Sequence, residues 1–230
     1  MAAMCRRPGV LPLVSLLCFL SPAWIHASGD RIELELWCDL DPIVEEGPGK
    51  DVGPLDPAEA VTRLLEEART ILSGMVYGYT FAYTPSDESR RVAESFELHT
   101  RAEIPWGDPA LRVADTRLEG DRLHVLIRFS LTPEQQAWRE AWQSGVVPRS
   151  SGNGSGNVFL GYRERGTALT NAVKESIRNH LRPRVPNKPR EVVGEALLWD
   201  VAGTYIEAGE YHTRIVTRLR VGTVTPYRVY

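Results

Sequence analysis

Cysteine is scarce in this chain of 230 residues, which contains three. Cys5 and Cys18 lie within residues 1–27, a segment with the composition of a removable leader, so the mature chain keeps only Cys38. A single cysteine cannot form an intrachain disulfide, which excludes a disulfide-stabilised scaffold. Cys38 follows Trp37 in an apolar run, a pattern typical of a buried thiol. A reactive thiol or an intermolecular bridge is the alternative.

Motifs for metal binding and catalysis are also missing. The histidines beyond the leader are scattered without the short ligand spacings of a zinc site, and they are His99, His124, His180 and His212. The run from Gly152 to Gly156 has glycine where a serine nucleophile would stand, and it lacks the lysine of a phosphate-binding loop. The sequence therefore predicts no metal and no cofactor. An exported hydrolase that uses unrecognised carboxylates, or His99 and His124, is kept as an alternative.

The chain also lacks an excess of positive charge. It has 27 basic and 30 acidic residues, a net charge of −3, and loss of the leader with its two arginines lowers that charge to −5. A mildly acidic protein is poorly suited to nonspecific binding of nucleic acid. We therefore predict no nucleic-acid partner.

The N-terminal segment has the parts of a secretory signal peptide. Arg6 and Arg7 precede an uncharged, leucine-rich stretch from Val10 to Trp24, and Ala27 is a small residue suited to cleavage. We predict that residues 1–27 are a signal peptide and that the mature protein is periplasmic or secreted.

A retained membrane anchor is the alternative for the same segment. The apolar stretch is short for a membrane span, and Pro12 and Pro22 interrupt it. We therefore expect no stable membrane span after cleavage of the signal peptide. A membrane-tethered envelope subunit, held by residues 10–27, is kept as a second alternative.

Alternating apolar and polar residues are abundant and define a central β-hairpin. The stretch from Leu123 to Leu131 alternates at a period of two and follows a turn at Gly120. The run before the turn begins at Leu111, and its alternation slips by one residue near Asp115, which indicates a β-bulge. We expect a hairpin with one buried face.

Three amphipathic helices accompany the strands. Asp56-Pro57 and Thr132-Pro133 each combine a capping residue with proline, ahead of apolar residues at helical spacing. We expect the first helix to end at Ser73-Gly74, the second to end at Gly145, and the third to begin at Thr167.

The order of these elements predicts an α+β fold with a mainly antiparallel sheet and about three packed helices. Two similar helix-plus-strands modules are an open alternative. We place an α+β module with the central hairpin at 28–145, a flexible Gly/Ser-rich linker loop at 146–157, and a helix with terminal β-strands at 158–230. We expect the segments on either side of the linker to belong to the same globular unit.

Aromatic residues supply the candidate binding surface. They occupy one face of a predicted strand and a nearby loop, and they are Tyr77, Tyr79, Phe81, Tyr83 and Trp106. Such a row can stack on sugars or bases, or it can pack in the core beneath the first helix. Trp138 and Trp142, four residues apart in the second helix, have the same two interpretations.

The function that follows is an exported, non-catalytic protein with a binding or structural role in the cell envelope. Its partner is an unidentified protein or glycan, because no pattern in the sequence specifies one. This prediction depends on the leader, the missing catalytic motifs and the aromatic strand.

Overall fold

The computed structural model describes residues 30–42, 54–185 and 187–227. Within these ranges the protein has two antiparallel sheets and three α-helices, which confirms the predicted α+β fold class. The elements are β1 Arg31–Asp39, α1 Pro57–Val76, β2 Tyr79–Thr84, β3 Ser95–Thr100, β4 Leu111–Glu119, β5 Arg122–Ser130, α2 Pro133–Gln143, β6 Arg149–Asn157, α3 Glu164–Leu181, β7 Glu191–Glu207 and β8 Glu210–Thr225. The predicted signal peptide at 1–27 lies outside the described residues.

The small sheet has the strand order β1–β5–β4. The alternating apolar residues of β1 and β5 share its inner face, where Leu34 lies opposite Ile127 and both side chains are buried. α1 contacts this face, because its own apolar stripe, which includes Leu64 and Leu72, has to be removed from water. The same helix also contacts β7, so one core cluster joins residues of both sheets.

The hairpin of β4 and β5 contains the predicted bulge but not the predicted burial. The pairing register shifts between Val113 and Asp115, as the slip in alternation indicated. β5 has a buried face, whereas β4 is exposed along almost its whole length. The reason is its position: β4 is the outer edge strand, and α1 packs on β1 and β5 instead. The bulge and the charged side chains of β4 are features that protect an open edge from further strand pairing.

The large sheet has the strand order β3–β2–β7–β8–β6 and combines strands from both ends of the chain. β2 belongs to the predicted module at 28–145, and β7 belongs to the segment at 158–230. The two strands pair directly, with Phe81 opposite Gly194. Backbone hydrogen bonds of one sheet therefore connect the two segments.

The prediction of a flexible linker over 146–157 is wrong for Arg149–Asn157, which form the strand β6. β6 pairs with β8 over its full length. Its three glycines face α3 at very short range: a Cβ atom on Gly154 would lie 2.1 Å from the carbonyl oxygen of Ala168. Glycine is needed here so that a helix and a strand can approach each other closely, and composition alone does not distinguish that need from flexibility.

The first two helices begin where the sequence predicts. The Asp56 carboxylate accepts a hydrogen bond from the backbone N–H of Ala58 at 2.7 Å. Thr132 and Gln135 form a reciprocal capping box at the start of α2. Both caps satisfy backbone N–H groups that have no partner within the helix.

The helix boundaries differ from the prediction at two places. α1 continues through Ser73-Gly74 to Val76, and α3 begins at Glu164 rather than Thr167. Gly74 serves packing, because a Cβ atom at this position would lie 2.0 Å from the hydroxyl oxygen of Tyr79. A glycine that makes room for a ring inside a helix thus has the same sequence pattern as a glycine that ends one.

Candidate functional site

The predicted aromatic surface is part of the core. Tyr79, Phe81 and Tyr83 are 4%, 3% and 5% exposed, and all three belong to the cluster that includes residues of α1 and α3. Each ring carries a large apolar area, so its burial against the helices stabilises the fold. The row therefore cannot serve as an open stacking surface.

The remaining two aromatic residues of that prediction lie apart from the buried row. Tyr77 is half-buried at the C-terminal end of α1, and its hydroxyl accepts a hydrogen bond from Nε2 of Gln135 at 2.8 Å. Trp106 is 57% exposed in the loop between β3 and β4. The structure does not bring the five residues together at one site.

The tryptophans of α2 also pack rather than form a platform. Trp142 is completely buried, and Trp138 meets it edge to face with ring centres 6.2 Å apart. The guanidinium of Arg220, from β8, lies 4.1 Å from the centre of the Trp142 ring. α2 thus packs on the large sheet at Leu197, and this packing encloses the indole of Trp142 and leaves that of Trp138 half-buried.

The two histidines considered for hydrolysis lie in different sheets. His99 is in β3 of the large sheet and His124 is in β5 of the small sheet. His124 is held between carboxylates, with Nδ1 3.4 Å from Glu35 and Nε2 3.6 Å from Glu119. In the part of the chain that the structure describes, no group of three or more His, Cys, Asp or Glu side chains is arranged to hold a metal ion.

A cavity of about 350 Å³ opens between α1, the first turns of α3 and the β7–β8 hairpin. Part of its wall is apolar, formed by Ile71 and Leu169, and part carries the hydroxyls of Thr204 and Thr213, which are 3.0 Å apart. The charged residues that line it come from α1 and the start of α3, and they are Arg63, Glu66, Glu67, Arg163 and Arg165. Apolar walls with a few convergent polar groups are typical of small-molecule sites.

Arg165 and Glu67 form the buried centre of this cavity wall. Their side chains are only 2% and 12% exposed, and Nε of Arg165 donates to Oε1 of Glu67 at 3.0 Å. The hydroxyl of Tyr162 donates to Oε2 of the same carboxylate at 2.5 Å. Both carboxylate oxygens therefore have a donor, which a buried charge requires.

Aromatic faces surround the guanidinium of Arg165. Its central carbon lies 4.8 Å from the ring centre of Trp37, 5.1 Å from that of Tyr162 and 5.7 Å from that of Tyr211. Nε1 of Trp37 donates to the carbonyl of Thr204 at 2.7 Å, which fixes the indole. The ring faces attract the cation. Its two terminal nitrogens are buried and have no hydrogen-bond acceptor among the described residues.

The thiol of Cys38 and the phenols of Tyr162 and Tyr211, which lie near Arg165, are neutral near pH 7. Burial raises the pKa of the Cys38 thiol to about 11, although the positive charge of Arg165 opposes that shift. Burial also raises the pKa of the hydroxyl of Tyr162 and of Tyr211. The thiol and the two phenols therefore add no negative charge that would compete for Arg165.

Sequence patterns did not identify this centre. Helical periodicity assigns Glu67 to the polar face of α1, opposite the apolar stripe that packs in the core. Its partner Arg165 is 98 residues further along the chain, in a run of charged residues that resembles an exposed helix start. A contact across that separation depends on how α3 is placed against α1, and local spacing carries no signal of it.

Comparison with known proteins gives the relationships of the chain. A protein-family model matches residues 23–227, so the chain belongs to the family that this model defines. An uncharacterized protein of Treponema pallidum (strain Nichols) is 26% identical over 199 residues, which cover 86% of this chain and 83% of that protein. No solved structure matches the chain. None of the helices within the described ranges has the length and apolar character needed to cross a bilayer.

Proposed function

We propose that this family member is an exported, non-catalytic binding protein of the cell envelope, and that its ligand site is the cavity between α1 and α3. The observation that carries the proposal is the buried ion pair of Arg165 and Glu67, two residues that line that cavity. A buried ion pair adds little net stability, because removing two charges from water offsets most of their attraction. Its position beside an open cavity favours a role in recognition.

The state of the groups near the cavity favours binding over hydrolysis. Glu67 already accepts hydrogen bonds from Arg165 and Tyr162, so its carboxylate is not poised to take a proton from water. Cys38 lines a smaller neighbouring cavity, and its raised pKa keeps it a thiol rather than a nucleophilic thiolate.

The export part of the proposal is supported by the composition of residues 1–27 and is tested at the N-terminus. The full chain is expressed in a bacterial host, and the purified protein is sequenced from its first residue. A start at Ser28 agrees with a cleaved signal peptide. A start upstream of Val10, together with recovery in the membrane fraction, favours the tethered alternative instead.

The ligand site is tested by a substitution that blocks the opening of the cavity with one bulky side chain. Thr70 is exposed on α1 and lines the cavity, and its hydroxyl donates to the carbonyl of Glu66 at 3.1 Å. Thr62 is a matched control on the same helix: it is also exposed, and it donates to the carbonyl of Ala58 at 2.9 Å, but it lies outside the cavity wall. The two variants therefore differ mainly in one respect: Thr70→Trp obstructs the cavity, and Thr62→Trp does not.

A panel of small acids, phosphates, sugars and short peptides is screened by thermal shift and confirmed by calorimetry. We expect at least one compound to raise the Tm of the wild type and of Thr62→Trp but not that of Thr70→Trp. If every compound that binds does so equally well to both variants, or if none binds the wild type, the cavity is not the ligand site.

A further inference from the structure

We infer that the face of the large sheet opposite α3 binds an acidic polysaccharide along β6 and β8. This surface, the arginine strip, consists of Arg149, Ser151 and Asn153 of β6, Tyr205 of β7, and Arg214 and Arg218 of β8. None of these residues lines the cavity between α1 and α3, so the inference concerns a second, separate surface.

The alternation of β6 and β8 places the side chains of the strip on one face. The glycines of β6, such as Gly154, lie directly against α3. The residues between them therefore point to the opposite face of the sheet. The register pairs Arg149 with Arg218 and Asn153 with Arg214, so the β8 residues share that face. Arg149, Asn153 and Arg214 are exposed there, and Arg218 is half-buried.

The positive charges of the strip lack carboxylate partners. Arg149 and Arg218 are directly opposite each other on adjacent strands, where like charges destabilise a sheet. The pKa of Arg218 lies below its ordinary value because of burial and because of the positive charge of Arg149. Nε of Arg214 donates at 3.3 Å to Oδ1 of Asn153, which is a neutral partner. Within the described ranges, no carboxylate forms an ion pair with any of the three arginines.

The carboxylates closest to the strip in the strand register lie on β7 and at its turn. Asp200 is on the same face of β7, and Glu207 and Glu210 flank the turn between β7 and β8. Glu195 is already paired with Arg101 of the chain segment after β3. Positive charge is therefore concentrated on β6 and the adjacent part of β8, and it favours an anionic partner there.

The strip is long rather than compact. Arg214 and Arg218 are four residues apart on β8, which places their Cα atoms about 13 Å apart. Tyr205 pairs with His212, two residues before Arg214, so the strip extends over roughly 20 Å along β8. A single small anion cannot contact both ends. A polymer with repeated negative charges can.

The uncharged groups favour a polysaccharide over a protein or a nucleic acid. Ser151 and Asn153 are exposed and can exchange hydrogen bonds with sugar hydroxyls. Tyr205 is 46% exposed, although it stacks on His212 with ring centres 5.3 Å apart, and its open surface can pack against a sugar ring. A protein partner requires an apolar centre, and between the arginines there is only the half-buried Val216. A nucleic acid strand is typically bound by several stacking rings, and the strip has one exposed ring.

The first test compares polymers that differ in charge and in sugar content. The purified full chain is titrated by biolayer interferometry against immobilised polygalacturonate and heparin, which are acidic polysaccharides. Dextran, polyglutamate and oligothymidylate are the neutral polysaccharide, the acidic polypeptide and the nucleic acid. We expect at least one acidic polysaccharide to bind about tenfold or more tightly than each of these three. Added salt should weaken that binding, because the arginines are largely open to solvent.

The second test uses single substitutions with a matched control. Arg149→Gln and Arg214→Gln each remove one positive charge from the strip, and we expect each to weaken binding of the acidic polysaccharide by about fivefold or more. Arg112→Gln is the control: Arg112 is also exposed on a strand, and its Nε donates to the carbonyl of Pro109 at 2.8 Å, but it lies in β4 of the small sheet. We expect Tyr205→Ser to weaken binding by a factor similar to that of the arginine variants.

Thermal unfolding separates loss of binding from loss of structure. Because Arg149 faces Arg218, Arg149→Gln removes a repulsion between like charges. We expect its Tm to rise by roughly 1–3 °C while its affinity for the acidic polysaccharide falls. A lower Tm for this variant would contradict the unneutralised charge pair on which the inference depends.

The inference is overturned if dextran, polyglutamate or oligothymidylate binds as tightly as the acidic polysaccharides. It is also overturned if no polymer binds, or if the strip variants bind as well as Arg112→Gln. None of these results bears on the cavity, which is tested separately by Thr70→Trp and Thr62→Trp.

Discussion

Cys38 is buried on the inner face of β1, and burial raises its pKa from the ordinary value of 9.0 to about 11. In the unfolded chain the thiol loses its proton near pH 9. Between pH 9 and 11 the folded state therefore holds a proton that the unfolded state has lost, and the free energy of unfolding falls as the pH rises through this window. Below pH 9 the contribution of the thiol is fully present.

The variant Cys38→Ala removes this dependence on pH. We expect the free energy of unfolding of the wild type to fall by about 2 kcal/mol more than that of Cys38→Ala between pH 8 and pH 10.5. Urea titrations with reducing agent present at both pH values measure the difference. The tyrosines with raised pKa are common to both proteins, so their contribution cancels. Equal losses of stability in the two proteins would show that the thiol is not shielded from solvent as the structure indicates.

Sequence patterns predict whether a side chain is buried only where residues adjacent in the chain determine its surroundings. The alternation of β1 and its apolar neighbours predicted a buried thiol at Cys38, and it is 3% exposed. The same type of argument allowed both interpretations of Tyr79, and only the packing of its ring against Gly74 of α1 decides between them. For Arg165 and Glu67 there was no local signal, because charged residues at a helix start are usually exposed.

The contact between β6 and α3 depends on the absence of side chains. A Cβ atom on Gly154 would lie 2.1 Å from the carbonyl oxygen of Ala168 and 2.2 Å from the backbone nitrogen of Ala172, so neither neighbour can yield by rotating a side chain. We expect Gly154→Ala to lower the free energy of unfolding by about 1–3 kcal/mol, the usual cost of overpacking. Urea denaturation measures the change.

Gly166→Ala provides the control within α3. Nothing lies within 4 Å of a Cβ atom at Gly166, and alanine is a better helix former than glycine. We expect this variant to keep wild-type stability or to gain up to about 1 kcal/mol. If Gly154→Ala is as well tolerated as the control, the segment is not packed against α3 and the prediction of a flexible linker regains its support.

Features that depend on adjacent residues were predicted from the sequence. Features that depend on contacts with distant elements were not. The caps at Asp56 and Thr132 and the bulge near Asp115 depend on a few adjacent residues, and the structure contains each of them. The glycines of β6 and Gly74 are explained by an element that lies elsewhere in the chain. Glycine has two physical uses, conformational freedom and lack of volume, and composition cannot separate them.

At the scale of the whole molecule, the order of elements along the chain was enough to predict the fold class. It was not enough to predict which strands share a sheet. Strands that follow one another through short turns, such as β4 and β5, were paired correctly. The pairing of β2 with β7 joins residues more than a hundred positions apart, for example Tyr83 with Val192. Such a pairing is chosen by the shared core, in which residues of α1, α3 and both sheets are buried together.

This shared core predicts that the two segments do not fold separately. β2 hydrogen-bonds to β7, and α1 contacts β7 as well, so a fragment of residues 28–145 would expose an apolar face that the second segment normally covers. We expect fragments 28–145 and 146–230 each to lack a cooperative unfolding transition in circular dichroism. When the two fragments are mixed, we expect a single unfolding transition and the same tryptophan emission as the intact chain. The intact chain is the positive control. A fragment 28–145 that unfolds cooperatively by itself would instead indicate an independent module, and the pairing of β2 with β7 would then be a docking contact rather than part of the folding unit.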